Sequence, residues 1–182
     1  MSRRVRAVSL CEDLQHDVFF RRMLKLLGYR QREIHVVPYP DGEGCGEQHV
    51  RKQFPIEVTV TRQKTHHRAG CLVTVIDADR SSVTFRQHQL RESLTGDGQH
   101  DRLSVENIAL FIPKRNIETW ITYLLEVGVV DEDDTYPKLT GHESDCYPAV
   151  DRFIALARSS PQPAECPPSL QQGLVELQRI PR

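Results

Sequence analysis

The chain has 182 residues, 38% hydrophobic and 27% charged, with a formal net charge of -1. That length suits one domain with a proper core, and no apolar run is long enough for a transmembrane helix. The basic start, Met1 to Arg6, leads into an apolar run broken at Glu12 and Asp13, which argues against a secretory signal and for a cytoplasmic protein with no membrane partner. Cysteines 11, 45, 71, 146 and 166 include no C-x-x-C pair and read as reduced thiols. A zinc set of Cys45, His66, His67 and Cys71 matches no usual zinc spacing.

Charge is unevenly spread: residues 1–91 carry 16 lysines and arginines against 10 acids, and residues 92–182 carry 8 against 15. A basic half beside carboxylates suits an anionic polymer such as nucleic acid, although two ordinary solvated faces give the same count.

In chain order, residues 5–11 alternate as a first strand. Leu14, Val18, Phe19, Met23, Leu26 and Leu27 then recur at helical spacing until Gly28 stops the run, with Arg21, Arg22 and Lys25 on the other side. Residues 34–37 read as a second strand closed by Pro38 and Pro40. Residues 41–48 form a glycine-rich loop running into a short helix that ends near Phe54 and Pro55. The loop lacks a Walker arrangement, so ATP is not expected there. Residues 56–60 alternate like a strand. A helix over 55–67 is preferred, because parallel neighbours need a crossover, and it leaves Arg62, Lys64 and Arg68 exposed.

Strand three, 71–77, ends in Asp77-Ala78-Asp79. Side chains two apart on a strand share a face, and two carboxylates so placed repel by roughly 4 kcal/mol at about 4 Å where the effective dielectric is 20. A hard divalent ion such as Mg2+ fits between them. The plainer reading makes Asp77 a solvated strand-end acid and Asp79 or Ser81 the cap of the next helix. That helix runs from Ser82 to Leu94 and is broken at Thr95-Gly96-Asp97-Gly98. A fourth strand, 108–112, is stopped by Pro113. Asn116 is placed to cap a helix whose apolar face is Ile117, Trp120, Ile121, Leu124 and Leu125. The acidic loop 131–134 reads as solvated, and two helices, 147–158 and 168–179, complete the chain.

Alternating strands and helices predict an α/β fold with a mainly parallel central sheet of about four strands flanked by helices, followed by two C-terminal helices. The expected division is a core over 1–130 and, over 131–182, an acidic loop and helical extension packed on it. Ligands of such sheets gather beyond the carboxyl ends of the strands. Glu12 and Asp13, then Asp77 and Asp79, then Glu118 follow three different strands and so converge on one edge.

Glu12 with Asp17 in an E-x4-D spacing, the Asp77-Ala78-Asp79 pair, and Ile117-Glu118-Thr119-Trp120 together resemble the Toprim domain. The likeness is to the overcoming-lysogenisation-defect nucleases and to small defence-associated Toprim-like proteins, and it covers about residues 5–125. Two departures stand out: Asp13 replaces the glycine that usually follows the first Toprim glutamate, and Arg80 follows the pair and could compete with a metal.

The resemblance implies a Mg2+- or Mn2+-dependent nuclease acting on DNA or RNA in bacterial defence, with an ATPase partner supplied in trans. Its metal ligands would come from Glu12, Asp17, Asp77, Asp79 and Glu118. Glu12 is also a candidate general acid or base, and Lys114 or Arg115 would stabilise charge on the phosphate. Two rival readings are a Toprim-fold subunit that binds nucleic acid or a partner without cutting, and a receiver-like phosphoacceptor domain with Asp77 as acceptor.

Overall fold

A computed structural model describes residues 5–40, 46–65, 70–126, 129–159 and 163–181. Four strands, β1 (Ala7–Leu10), β2 (Ile34–Val36), β3 (Cys71–Val75) and β4 (Ile108–Phe111), form one all-parallel sheet in the order β2-β1-β3-β4. Among the described residues six α-helices accompany them: α1 (Leu14–Leu26), α2 (Gly46–Thr65), α3 (Val83–Gly96), α4 (Ile117–Leu124), α5 (Tyr147–Ala157) and α6 (Pro168–Glu176). The fold is therefore α/β with a parallel four-stranded sheet, as the alternating pattern predicts.

Strands buried on both faces need apolar residues at successive positions, and β1, β3 and β4 are buried throughout. Ala7, Val73, Val75, Ala109 and Phe111 face one layer, which contains Phe19 and Phe20 of α1, Trp120 of α4 and Phe153 of α5. Val8, Leu10, Leu72, Ile108 and Leu110 face the other, with Val50, Phe54 and Val58 of α2 and Leu90 and Leu94 of α3. Residues from α5 and α6 share the first cluster with the sheet.

Several local expectations change. The two segments expected around Pro55 are one helix, α2, with Pro55 inside it. Proline removes one backbone donor, but Val50, Phe54 and Val58 fall at helical spacing onto one buried face and carry the helix through. Arg62, expected to be exposed, is half-buried and donates to Glu106 from Nε at 2.7 Å and to Gln99 from Nη1 at 3.1 Å. The cap of α3 is Ser82, whose hydroxyl accepts from the Phe85 amide at 3.0 Å, rather than Asp79 or Ser81. Asn116 occupies the cap position of α4 without capping an amide; its side chain accepts from the Thr119 hydroxyl at 3.3 Å. Helix α1 is rotated from the expected face. Leu14 is exposed, whereas Gln15, His16, Phe19, Phe20, Met23 and Leu24 are buried.

Residues 41–45 of the glycine-rich loop, and Cys45, His66, His67 and Arg68, lie outside the described residues. Cys11, Cys71, Cys146 and Cys166 are free and buried. Among the described residues no helix is long and apolar enough to cross a membrane.

Strand β1 pairs with β2 on one side and β3 on the other. The chain leaves β1 and β3 in opposite directions, so a crevice opens between their carboxyl ends, where open parallel sheets hold ligands. Glu12 follows β1 and Asp77 follows β3, one on each side of that crevice.

Candidate metal centre

Strand-like bonding outlasts β3: the Ile76 amide donates to Phe111 O at 3.1 Å and the Ala78 amide to Pro113 O at 2.9 Å. Asp77 is thereby held at the sheet edge and is 7% exposed. Its backbone amide donates to Glu12 Oε1 at 2.9 Å. His16, with no exposed surface, lies on the inward face of α1, and its Nε2 is 3.0 Å from Asp77 Oδ1. Asp13 caps α1 by accepting from the His16 amide at 3.0 Å, and the same oxygen is 3.3 Å from His16 Nδ1. One ligand atom each from Glu12, His16 and Asp77 lie within 4.8 Å of one another.

Electrostatics tie the three together. Burial, and next the nearby Asp77 charge, push the Glu12 carboxyl up to about 8. Burial likewise raises Asp77, although its bond to His16 opposes that shift. Burial alone would lower the His16 imidazolium, but the Asp77 and Asp13 carboxylates outweigh it and hold the group up at about 10. At neutral pH the cluster thus keeps protons that bulk water would remove from Glu12. A divalent cation can replace them.

The donor set fits such an ion. Two carboxylates suit Mg2+ or Mn2+, and the imidazole shifts the preference from Mg2+ toward Mn2+.

The other expected residues are placed differently. Glu118, at the start of α4, is 5% exposed and is raised by burial and then by Asp77, which puts it within electrostatic reach of the cluster. Asp79 has a left-handed backbone (φ 54) and a side chain 60% exposed, paired at 3.4 Å with Arg86 Nη2. Asp17 is drawn away: Arg21 Nε donates to its Oδ1 at 3.0 Å, Arg21 Nη2 engages its Oδ2, and the Tyr39 hydroxyl is 3.4 Å from that oxygen. Lys114 is paired with Asp133 of the acidic loop at 2.7 Å. Arg115 is half-buried, and its carbonyl accepts from the Asp79 amide at 3.1 Å. Arg80 is exposed, and the guanidinium paired with Asp79 belongs to Arg86.

His16 is a candidate site residue that the sequence reading does not name. Its sequence signal is an E-x3-H spacing from Glu12, beside the E-x4-D spacing that ends at Asp17. The helix phase decides between them, and the Asp13 cap sets that phase.

A cavity of about 170 Å³ adjoins the cluster, lined in part by Asp13, Glu118, Lys138 and Glu143. On the other side α2 begins against Glu12. A Cβ at Gly46 would lie 2.7 Å from Glu12 O and 2.8 Å from Glu12 Cβ, closer than real contacts allow. Gly46→Ala is therefore expected to displace Glu12 and weaken Mn2+ binding by roughly 10- to 100-fold, read by titration. Unchanged affinity would show that the close approach does not position the carboxylate.

Comparison of the chain with protein-family models, with curated proteins and with solved structures finds no match.

Proposed function

We propose that this protein is a divalent-metal-dependent phosphodiester hydrolase acting on DNA or RNA, with Glu12, His16 and Asp77 holding Mn2+ or Mg2+. The observation that carries this reading is the convergence of those three side chains at the crevice between β1 and β3. When bound, the ion supplies Lewis-acid polarisation of a phosphoryl oxygen and a water nucleophile available at neutral pH. The chain's own contribution is orientation and proton handling. The Asp77 amide fixes Glu12 Oε1, and Asp13 brackets His16 from the side opposite Asp77. In the metal-free protein the raised carboxyl of Glu12 exchanges a proton near neutral pH, and it gives that proton up when it takes the ion. Lys138 is the cation of the adjoining cavity and the side chain suited to meet a substrate phosphate there. Support for a nucleic-acid substrate comes from the Toprim resemblance, and an ATPase acting in trans rests on that resemblance alone.

The test is a cleavage assay on a mixed DNA and RNA panel with Mn2+, with Mg2+ and with chelator. Metal-dependent cleavage is expected. No cleavage with either metal, with the native partners present, would overturn the enzymatic reading. One observation favours the rival non-cutting subunit: Lys114 and Asp79 are both already ion-paired. Metal-independent nucleic-acid binding without cleavage would mark that alternative.

Protons and metal compete for the same atoms, so Mn2+ affinity is expected to rise with pH as Glu12 titrates near 8 and His16 near 10. Calorimetry in two buffers of different ionisation enthalpy would measure the protons released, and affinity independent of pH between about 6 and 8.5 would contradict the assignment. Metal-free stability should move the other way. Glu12 in the unfolded chain loses its proton near 4.5 but in the folded chain near 8, so ionising it costs stability as pH rises across that interval. His16 stabilises fully below its ordinary 6.5, and that contribution is lost as pH rises through about 10.

A further inference from the structure

Arg86 is 4% exposed although it carries a permanent charge, and a guanidinium so buried needs carboxylates around it. Its Nη1 engages Glu47 in the first turn of α2 and donates to Gln89 Oε1 at 2.8 Å, while Nη2 reaches Asp79 Oδ2 at 3.4 Å. Its Nε is buried and makes no hydrogen bond. Arg51 Nη1 also donates to Glu47, at 3.0 Å, so two arginines meet two acids beside the crevice.

The same Asp79 lies close enough to raise both Glu12 and Asp77, yet its carboxylate is outside the three-ligand group. A positive charge therefore already stands on the outer acid of the D-x-D pair. A second divalent ion on Asp79 would have to displace Arg86 or sit against it.

The geometry points to a centre that takes one divalent ion, bound by Glu12, His16 and Asp77, with the Arg86 guanidinium standing where a second ion would otherwise be held through Asp79. This rests on the metal-centre reading above and gives its stoichiometry. Asp79 is then a partner of Arg86 and not a metal ligand. Arg86 is a positioning residue that joins α2, α3 and the end of the β3 segment, and it contributes a fixed charge beside the site.

Mn2+ binding, followed by calorimetry and by the loss of free-Mn2+ paramagnetic resonance signal, separates the possibilities. The full chain is expected to bind one equivalent. Asp79→Asn should bind one equivalent with affinity within about threefold of the parent, because its side chain is mostly exposed and makes one long contact. Arg86→Gln should gain a second equivalent, Arg86→Lys should not, and Arg86→Gln combined with Asp79→Asn should return to one. Two equivalents in the parent or loss of binding in Asp79→Asn would overturn the single-ion inference, and a folded Arg86→Gln that still binds one would overturn the role given to Arg86; each leaves the metal centre standing. Absence of Mn2+ binding in the parent, or binding undiminished in Asp77→Asn, would remove the metal centre itself and this inference with it. If Arg86→Gln does not fold, the parent stoichiometry and Asp79→Asn decide the matter.

Discussion

Asp77→Asn should lower metal-dependent cleavage by roughly 10²- to 10³-fold or more while the protein stays folded. The substitution keeps the side chain's shape and leaves an oxygen to accept from His16, whose Nε2 is 3.0 Å away. It removes the charge that a divalent ion needs from this position. It also removes one of the two carboxylates whose proximity raises Glu12, so Glu12 should titrate nearer its ordinary value in the variant. Two readouts therefore move together: cleavage falls, and the pH dependence attributed to Glu12 shifts toward acid. Equal activity in the variant would show that Asp77 holds no catalytic ion. Lost activity accompanied by a lost circular-dichroism signal would assign Asp77 a structural role instead.

Trp120→Ala should cost about 3–5 kcal/mol of stability, a large part of the roughly 5–15 kcal/mol typical of a domain. Trp120 is fully buried and stacks on Phe153 with centroids 6.0 Å apart. Its Nε1 donates to the Ser169 hydroxyl at 2.8 Å. Gly173 leaves room for the indole: a Cβ there would lie 2.5 Å from Trp120 Cη2. One side chain of α4 thus engages both C-terminal helices, and truncation opens a cavity and removes the indole donor from the Ser169 hydroxyl, which keeps its bond to Glu132. Urea denaturation measures the loss. A change below about 1 kcal/mol would mean that α5 and α6 contribute little to holding the sheet layer together.

The architecture was readable because its strands are short apolar runs separated by long helical patterns. β3 and β4 are buried on both faces, and a parallel sheet needs that composition. The helix around Pro55 was not readable as one element, since proline is a local stop signal and only the burial of Val50, Phe54 and Val58 on one face overrides it.

The site was half legible. Glu12 and Asp77 follow strands in sequence and so fall at the same edge by topology alone. His16 and Asp17 are neighbours on α1, and choosing between them requires the phase of the helix, which the Asp13 cap and the packing of Phe19, Phe20 and Met23 determine. Asp79 shows where strand alternation fails as an argument. Its backbone is left-handed, and its carboxylate stays outside the Glu12, His16 and Asp77 group and meets Arg86, a residue seven positions later on the next helix. Lys114 is diverted to Asp133 by a loop that carries no periodic signal.

Anomalous diffraction from crystals equilibrated with Mn2+ tests the central claim most directly. One anomalous peak liganded by Glu12, His16 and Asp77 is the predicted result. An empty crevice between β1 and β3, or a peak on the acidic segment 131–134 in its place, would contradict it.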